Sequence, residues 1–158
     1  MPHVELTIVP DTAHVRVVRL VAVSLARMNG LDEDAVEDVR LAVGEACGRA
    51  VAAHLRHGVE DSVSLQLDGR DPATDSDSED ETAPALVVSV QDRIPLPAAA
   101  GEDALRLVAF GPAGSSWTAD GDASPAVVGL LQGLADGLTV RTGEAGTLIE
   151  LSWLAEAH

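Results

Sequence analysis

Residues 39–51 of this 158-residue chain read Val39-Arg40-Leu41-Ala42-Val43-Gly44-Glu45-Ala46-Cys47-Gly48-Arg49-Ala50-Val51. Apolar residues recur at helical spacing through this stretch, which predicts a helix with one face in a core. We expect the helix to begin after Asp32, which can cap it, and to end near Leu55, with Gly58 closing it. Glu45 and Arg49 are four positions apart, so they share one face of the helix.

The segments on both sides of this helix predict strands and further helices. The predicted strands are 4–9, 63–67, 86–90, 138–141 and 147–153, and the other helices are 11–28, 101–110 and 125–135. The pair Asp68-Gly69 predicts a turn, and the apolar strand 86–90 is expected to be central in its sheet. This order is typical of an α+β fold, a two-layer sandwich with helices on one face of a mixed β-sheet. The length suits a single domain over residues 1–158.

An acidic segment at residues 70–84 interrupts this pattern and has no apolar anchor beyond alanine. It predicts a flexible hairpin loop, either a solvated insertion or an acidic docking arm. The whole chain carries a formal charge of −16, so phosphate backbones would be repelled and nucleic acid is not expected as a partner. The acidity fits a basic protein partner, and equally a role in solubility alone.

The sequence contains few residues or patterns that indicate membrane targeting, secretion or redox chemistry. No apolar run is long enough to span a membrane, and the first residues do not form a signal peptide pattern. Cys47 is the single cysteine, which excludes an intrachain disulfide, and it is expected to be a buried small apolar residue. These features predict a cytoplasmic protein.

The stretch 39–51 also resembles the first ATP-site motif of the anti-sigma-factor serine kinases, a branch of the GHKL ATPase superfamily. Further likeness lies in residues 6–11, 15–19 and 30–47, and the resemblance covers about residues 3–154. It implies a GHKL (Bergerat) ATPase-like fold, in which Glu45 would be the catalytic base. At the position of Arg49 the family has an asparagine that holds the magnesium bridging the ATP phosphates.

Arg49 cannot replace that asparagine, because a guanidinium has no lone pair for a metal ion. Two interpretations remain open: a structural ion pair between Glu45 and Arg49, or direct contact of Arg49 with a phosphate group without metal. The nearby His54 and His57 suggest a metal site less than they suggest a solvated helix face.

The second family motif is Asp-x-Gly-x-Gly, whose aspartate accepts from the adenine amino group. This chain keeps Asp92 but has Ile94 and Leu96 in place of the glycines, and these side chains are expected to crowd the adenine space. In the third motif, Pro125 and Val127 stand where the family has glycines that bring backbone N–H groups to the phosphates. Three altered motifs together indicate that tight magnesium–ATP binding is lost, with no cofactor retained.

The resemblance therefore implies a regulatory protein that binds a sigma factor, a STAS-domain anti-anti-sigma protein, or both, and that forms a homodimer. Its candidate contacts are Arg16, Arg19, the surroundings of Arg49, and the loops near Arg93 and Trp117. The alternative is an active ATP-dependent serine kinase, in which Glu45 is the base, Asp92 reads adenine and Arg49 holds phosphate. A third hypothesis is a sensor of another ligand, in an apolar cleft at Ile94, Leu96 and Val127.

Overall fold

The computed structural model describes residues 3–69, 84–95, 99–100 and 125–155. Its strands are β1 (His3–Ile8), β2 (Val63–Gly69), β3 (Pro84–Gln91), β4 (Ala99–Ala100), β5 (Gly137–Gly143) and β6 (Gly146–Leu154). Its helices are α1 (Val15–Met28), α2 (Glu33–His57) and α3 (Pro125–Leu134), and one 3-10 turn, Thr12–His14, precedes α1. The segments predicted as an acidic loop at 70–84 and as a helix at 101–110 lie outside the described residues, except for Pro84, which begins β3.

The six strands form one sheet in the order β1-β2-β3-β6-β5-β4. β3 lies between β2 and β6, which confirms the prediction that it is central. Every pairing among the described strands is antiparallel, so the part of the sheet that the structure describes is antiparallel rather than mixed. Sequence patterns locate strands but not their directions, which depend on how the connections cross the sheet.

The three helices pack on the sheet, with α1 and α2 against β2 and β3 and α3 against β5. Alternate residues of β2 (Val63, Leu65, Leu67) are buried in one core with the apolar faces of α1 and α2. The expected two-layer α+β fold is confirmed. None of the described helices is both long and apolar enough to cross a membrane.

Helix α2 begins and ends close to its predicted limits. The Asp32 carboxylate accepts a hydrogen bond of 2.7 Å from the Ala35 N–H, and so satisfies one of the free donors of the first turn. Gly58 ends the helix with φ 64°, a left-handed conformation that glycine adopts without strain. These caps fix which face of α2 meets the sheet, and with it the direction in which Arg49 points.

The predicted turn at Asp68-Gly69 is wrong, because both residues belong to β2. Asp68 pairs with His3 of β1 and Val87 of β3, and its carboxylate also bonds the His3 ring. Ladder hydrogen bonds on both sides outweigh the turn preference of the dipeptide. Trp153 is in the core as expected, 2% exposed, and its Nε1 donates to the Leu134 carbonyl at 2.9 Å.

Candidate functional site

The centre of the candidate site is an ion pair between Arg49 of α2 and Asp92, the first residue after β3. The Arg49 Nη2 donates to the Asp92 Oδ2, and the two side chains are only 3% and 1% exposed. Packing of α2 against β3 brings together two residues that are 43 positions apart in the chain. A pair so deeply buried is protected from solvent screening, so removal of either partner leaves an uncompensated charge.

The second carboxylate oxygen of Asp92 is occupied by the backbone. Its Oδ1 accepts from the Ile94 N–H at 3.0 Å and from the Thr147 N–H at 2.9 Å. Both oxygens of this carboxylate therefore have internal donors. In this structure Asp92 fixes the loop after β3 to the start of β6, and it is not presented to a ligand.

Gly146, the first residue of β6, permits this arrangement. Its φ is 118°, and a Cβ at this position would lie 1.9 Å from the Asp92 carbonyl oxygen. Only glycine lets the two backbone segments approach so closely. The β5–β6 hairpin and the ion pair thus depend on each other.

The expected ion pair between Glu45 and Arg49 is wrong, since Arg49 pairs with Asp92 instead. Glu45 is half-buried and has no ion pair with any residue that the structure describes. A buried carboxylate is the stronger partner, because the attraction grows as solvent is excluded. The Nε of Arg49 is buried and has no hydrogen-bond partner among the described residues.

The prediction of a solvated face for His54 is also wrong, because its side chain is fully buried. Its Nδ1 lies 2.9 Å from the Asp61 carbonyl oxygen, and its Nε2 accepts from the Arg93 N–H at 2.9 Å. These partners define the Nδ1–H tautomer. His54 follows the buried Ala50 by four positions, and this spacing is the signal that could have placed it on the buried face.

A cleft of about 520 Å³ lies between α1 with its preceding turn and α2. Glu45 and Arg49 line it, whereas Asp92 does not; its lining is Thr12, Ala13, Val15, Arg16, Arg19, Gly44, Glu45, Gly48 and Arg49. The structure thus places Glu45 and Arg49 at one cleft and buries Asp92 behind Arg49.

Cys47 lies on the same helix and is fully buried. Burial raises the pKa of its thiol to about 11, and the positive charge of Arg19 opposes part of this shift. A thiol with this pKa stays protonated at neutral pH and is a poor nucleophile. The expectation of a buried, small apolar residue is confirmed.

A magnesium–nucleotide complex does not fit the described residues. Arg49 stands where the resemblance implies a metal ligand, the Asp92 carboxylate that would read adenine has internal donors, and Ile94 is buried beside it at 7% exposure. No group of three acidic, histidine or cysteine side chains within the described ranges could hold a metal ion. Pro125 and Val127 lie in the first turn of α3, while Leu96 and Trp117 lie outside the described residues.

A two-layer α+β sandwich with a long helix that carries the acid of the first motif is the arrangement of a GHKL-type ATPase domain. The chain belongs to the histidine kinase-like ATPase domain family, whose model matches residues 8–153. A search of curated proteins found no match. The match confirms the superfamily that the motifs indicated.

Proposed function

We propose that this protein is a regulator resembling anti-sigma factors, which binds a sigma factor, a STAS-domain anti-anti-sigma protein, or both. In this proposal ATP binding is weak or lost, and the cytoplasm, where both partner classes act, is the site of action. The single observation that carries the proposal is the buried Arg49–Asp92 ion pair. One interaction occupies both the position of the metal ligand and the carboxylate that would read adenine.

The ion pair opposes nucleotide binding in two ways. A Mg²⁺ ion near the buried Arg49 guanidinium is repelled by a like charge. The side-chain carbonyl oxygen of an asparagine at this position would instead stabilise the ion. An adenine amino group can reach Asp92 only after the ion pair is broken. Breaking a buried pair costs about 3 kcal/mol or more, which lowers affinity by roughly a hundredfold.

The charge of the chain supports a protein partner rather than nucleic acid. At −16, the chain repels a phosphate backbone over most of its surface. Its exposed apolar side chains include Val17 (53%) and Leu20 (64%) on α1, and β1 is an edge strand of the sheet. This surface is proposed as the homodimer contact, whereas Arg16 and Arg19 are proposed for the regulatory partner.

An active serine kinase is the second candidate function, and Glu45 is the observation that favours it. Its carboxylate is half-buried, lines an open cleft and has no ion pair with the described residues, so it is free to act as a base. Phosphoryl transfer, however, depends on a positioned, metal-neutralised triphosphate, and the residues for that are replaced.

The proposal is tested by capture of partners from cells that express the protein, with and without added magnesium–ATP. We expect a sigma factor or a STAS-domain protein to be captured equally in both conditions. Arg19→Glu should abolish capture, whereas Arg141→Glu, which makes the same charge change at an exposed position of β5, should not. Transfer of radiolabel from the γ-phosphate of ATP to a captured protein would favour the kinase alternative and refute the proposal.

A further inference from the structure

We propose that the cleft between α1 and α2 is a binding site for a phosphate group, held by arginine without a metal ion. The cleft, here called the arginine cleft, is defined by Arg16, Arg19, Gly44, Glu45, Gly48 and Arg49. The proposal goes beyond the proposed function, because it requires neither a sigma factor nor a STAS-domain partner.

Unpaired positive charge in an acidic chain is the first argument. The chain has 26 acidic residues and ten basic ones, all arginine, so an arginine without an acidic partner is unexpected. Arg27 and Arg40 do have acidic partners, Glu33 and Glu37. Arg16 and Arg19 have none among the described residues, and neither do Arg93 and Arg141, but only Arg16 and Arg19 lie three positions apart on one face of a helix. Like charges at this spacing repel each other, and an anion between them removes that repulsion.

The free donor of Arg49 is the second, independent argument. This side chain is 3% exposed, and its Nε is buried without a hydrogen-bond partner among the described residues. Buried donors are satisfied in most proteins, so an exception calls for a physical explanation such as a missing ligand. Arg49 lines the arginine cleft, so a movement of its side chain that exposes Nε would let an oxyanion bound there supply the acceptor that Nε lacks.

The floor of the arginine cleft has room for a small ligand at Gly48, whereas the space beside Gly44 is filled by Arg19. The Arg19 guanidinium lies across α2 at Gly44, where a Cβ would be 2.3 Å from its Nε. A Cβ at Gly48, one turn later, would meet nothing within 4 Å. The volume of about 520 Å³ is within the range of small-molecule sites.

Glu45 restricts which anions the arginine cleft can bind. It is the single acid among the lining residues, and it has no partner among the described residues. A carboxylate beside the arginines repels a plain anion, but it can accept a hydrogen bond from a P–OH group. Hydrogen phosphate offers both features, with oxygens for the guanidinium groups and a hydroxyl for Glu45.

Titration of the isotope-labelled full chain with inorganic phosphate tests the site, at constant ionic strength and with EDTA present. We expect saturable shifts of the Gly44 and Gly48 amide signals and of the Arg16 and Arg19 Nε signals. Arg19→Gln should weaken binding about tenfold or more, because it removes a charge-assisted hydrogen bond. Arg141→Gln, the matched loss of one exposed arginine outside the cleft, should leave the affinity within about twofold.

A second variant, Gly48→Leu, fills the cleft where no atom is within 4 Å, and so should block phosphate with the fold intact. A parallel titration with phosphoserine distinguishes free phosphate from phosphate esters as the ligand. If phosphoserine binds, the site accepts phosphate esters as well; if it does not bind, the site is specific for free phosphate. The proposal is overturned if no signal saturates below roughly 50 mM phosphate. It is also overturned if Arg141→Gln weakens binding as much as Arg19→Gln, or if binding requires magnesium.

Discussion

Removal of the Arg49 side-chain charge should destabilise the protein more than any other arginine substitution on α2. Arg49→Met keeps the apolar stem but leaves the Asp92 carboxylate buried with only its two backbone donors, from Ile94 and Thr147. The loss of one partner of a buried pair costs about 3–5 kcal/mol, and the two remaining hydrogen bonds place the expected value near the lower limit, about 3 kcal/mol. A domain of this size unfolds at about 5–15 kcal/mol, so the variant should still fold.

A double-mutant cycle separates the interaction energy of the ion pair from the other effects of each substitution. Asp92→Asn alone should cost a similar amount, and the double variant should lose less than the sum, with a coupling of at least about 1.5 kcal/mol. Urea unfolding monitored by circular dichroism measures each free energy of unfolding. Arg40→Met, at the exposed pair with Glu37, is the matched control and should shift the midpoint very little.

Two results would refute this reasoning. If Arg49→Met is no more destabilising than Arg40→Met, the buried pair is not structural. If the two single effects add without coupling, Arg49 and Asp92 do not act on each other as the geometry requires.

Three further predictions concern glycines and the single cysteine. Gly48→Ala should raise the free energy of unfolding in urea by about 0.5–1 kcal/mol, because alanine favours the helix more than glycine does. Gly44→Ala should raise it less, because the new Cβ displaces the Arg19 guanidinium. Equal increases would contradict the packing of Arg19 on α2. Gly146→Ala should cost at least about 2 kcal/mol through its positive φ and the backbone clash, while Gly143→Ala in the same hairpin should cost nothing; equal effects would contradict the close approach. Cys47, whose pKa burial raises to about 11, should resist alkylation at pH 8 in the native protein and react once urea unfolds it. Because this folded pKa exceeds the unfolded one, its contribution to stability is complete below about pH 8.5 and is lost as the pH rises towards 11; fast alkylation of the native protein would contradict the burial.

The elements and the layer arrangement of the fold were predictable because they depend on local signals. The caps Asp32 and Gly58 and the apolar spacing of α2 set that helix within about two residues of its observed end. The predicted turn at Asp68-Gly69 is wrong because pairing with two neighbouring strands, which lie far away in the sequence, keeps both residues in β2. The prediction of a mixed sheet is wrong for a similar reason, since the relative direction of two strands depends on how distant segments of the chain meet.

The residues around the buried ion pair were predictable from the motifs but their pairing was not, and their functional roles stay predictions. Glu45, Arg49 and Asp92 were all identified from the motifs, and the helical spacing favoured an ion pair between the first two. The structure instead pairs Arg49 with Asp92, because only the packing of α2 on β3 removes both side chains from water. The prediction for His54 was wrong because it rested on the lack of a third metal ligand near His54 and His57, whereas the spacing of His54 from Ala50 places it on the buried face of α2.

The affinity for ATP, measured by titration calorimetry with magnesium and with EDTA, tests whether the Arg49–Asp92 pair has replaced the nucleotide site. We expect a dissociation constant weaker than about 1 mM in both conditions, because magnesium has no oxygen ligand at position 49. Binding in the micromolar range that disappears with EDTA would contradict this conclusion.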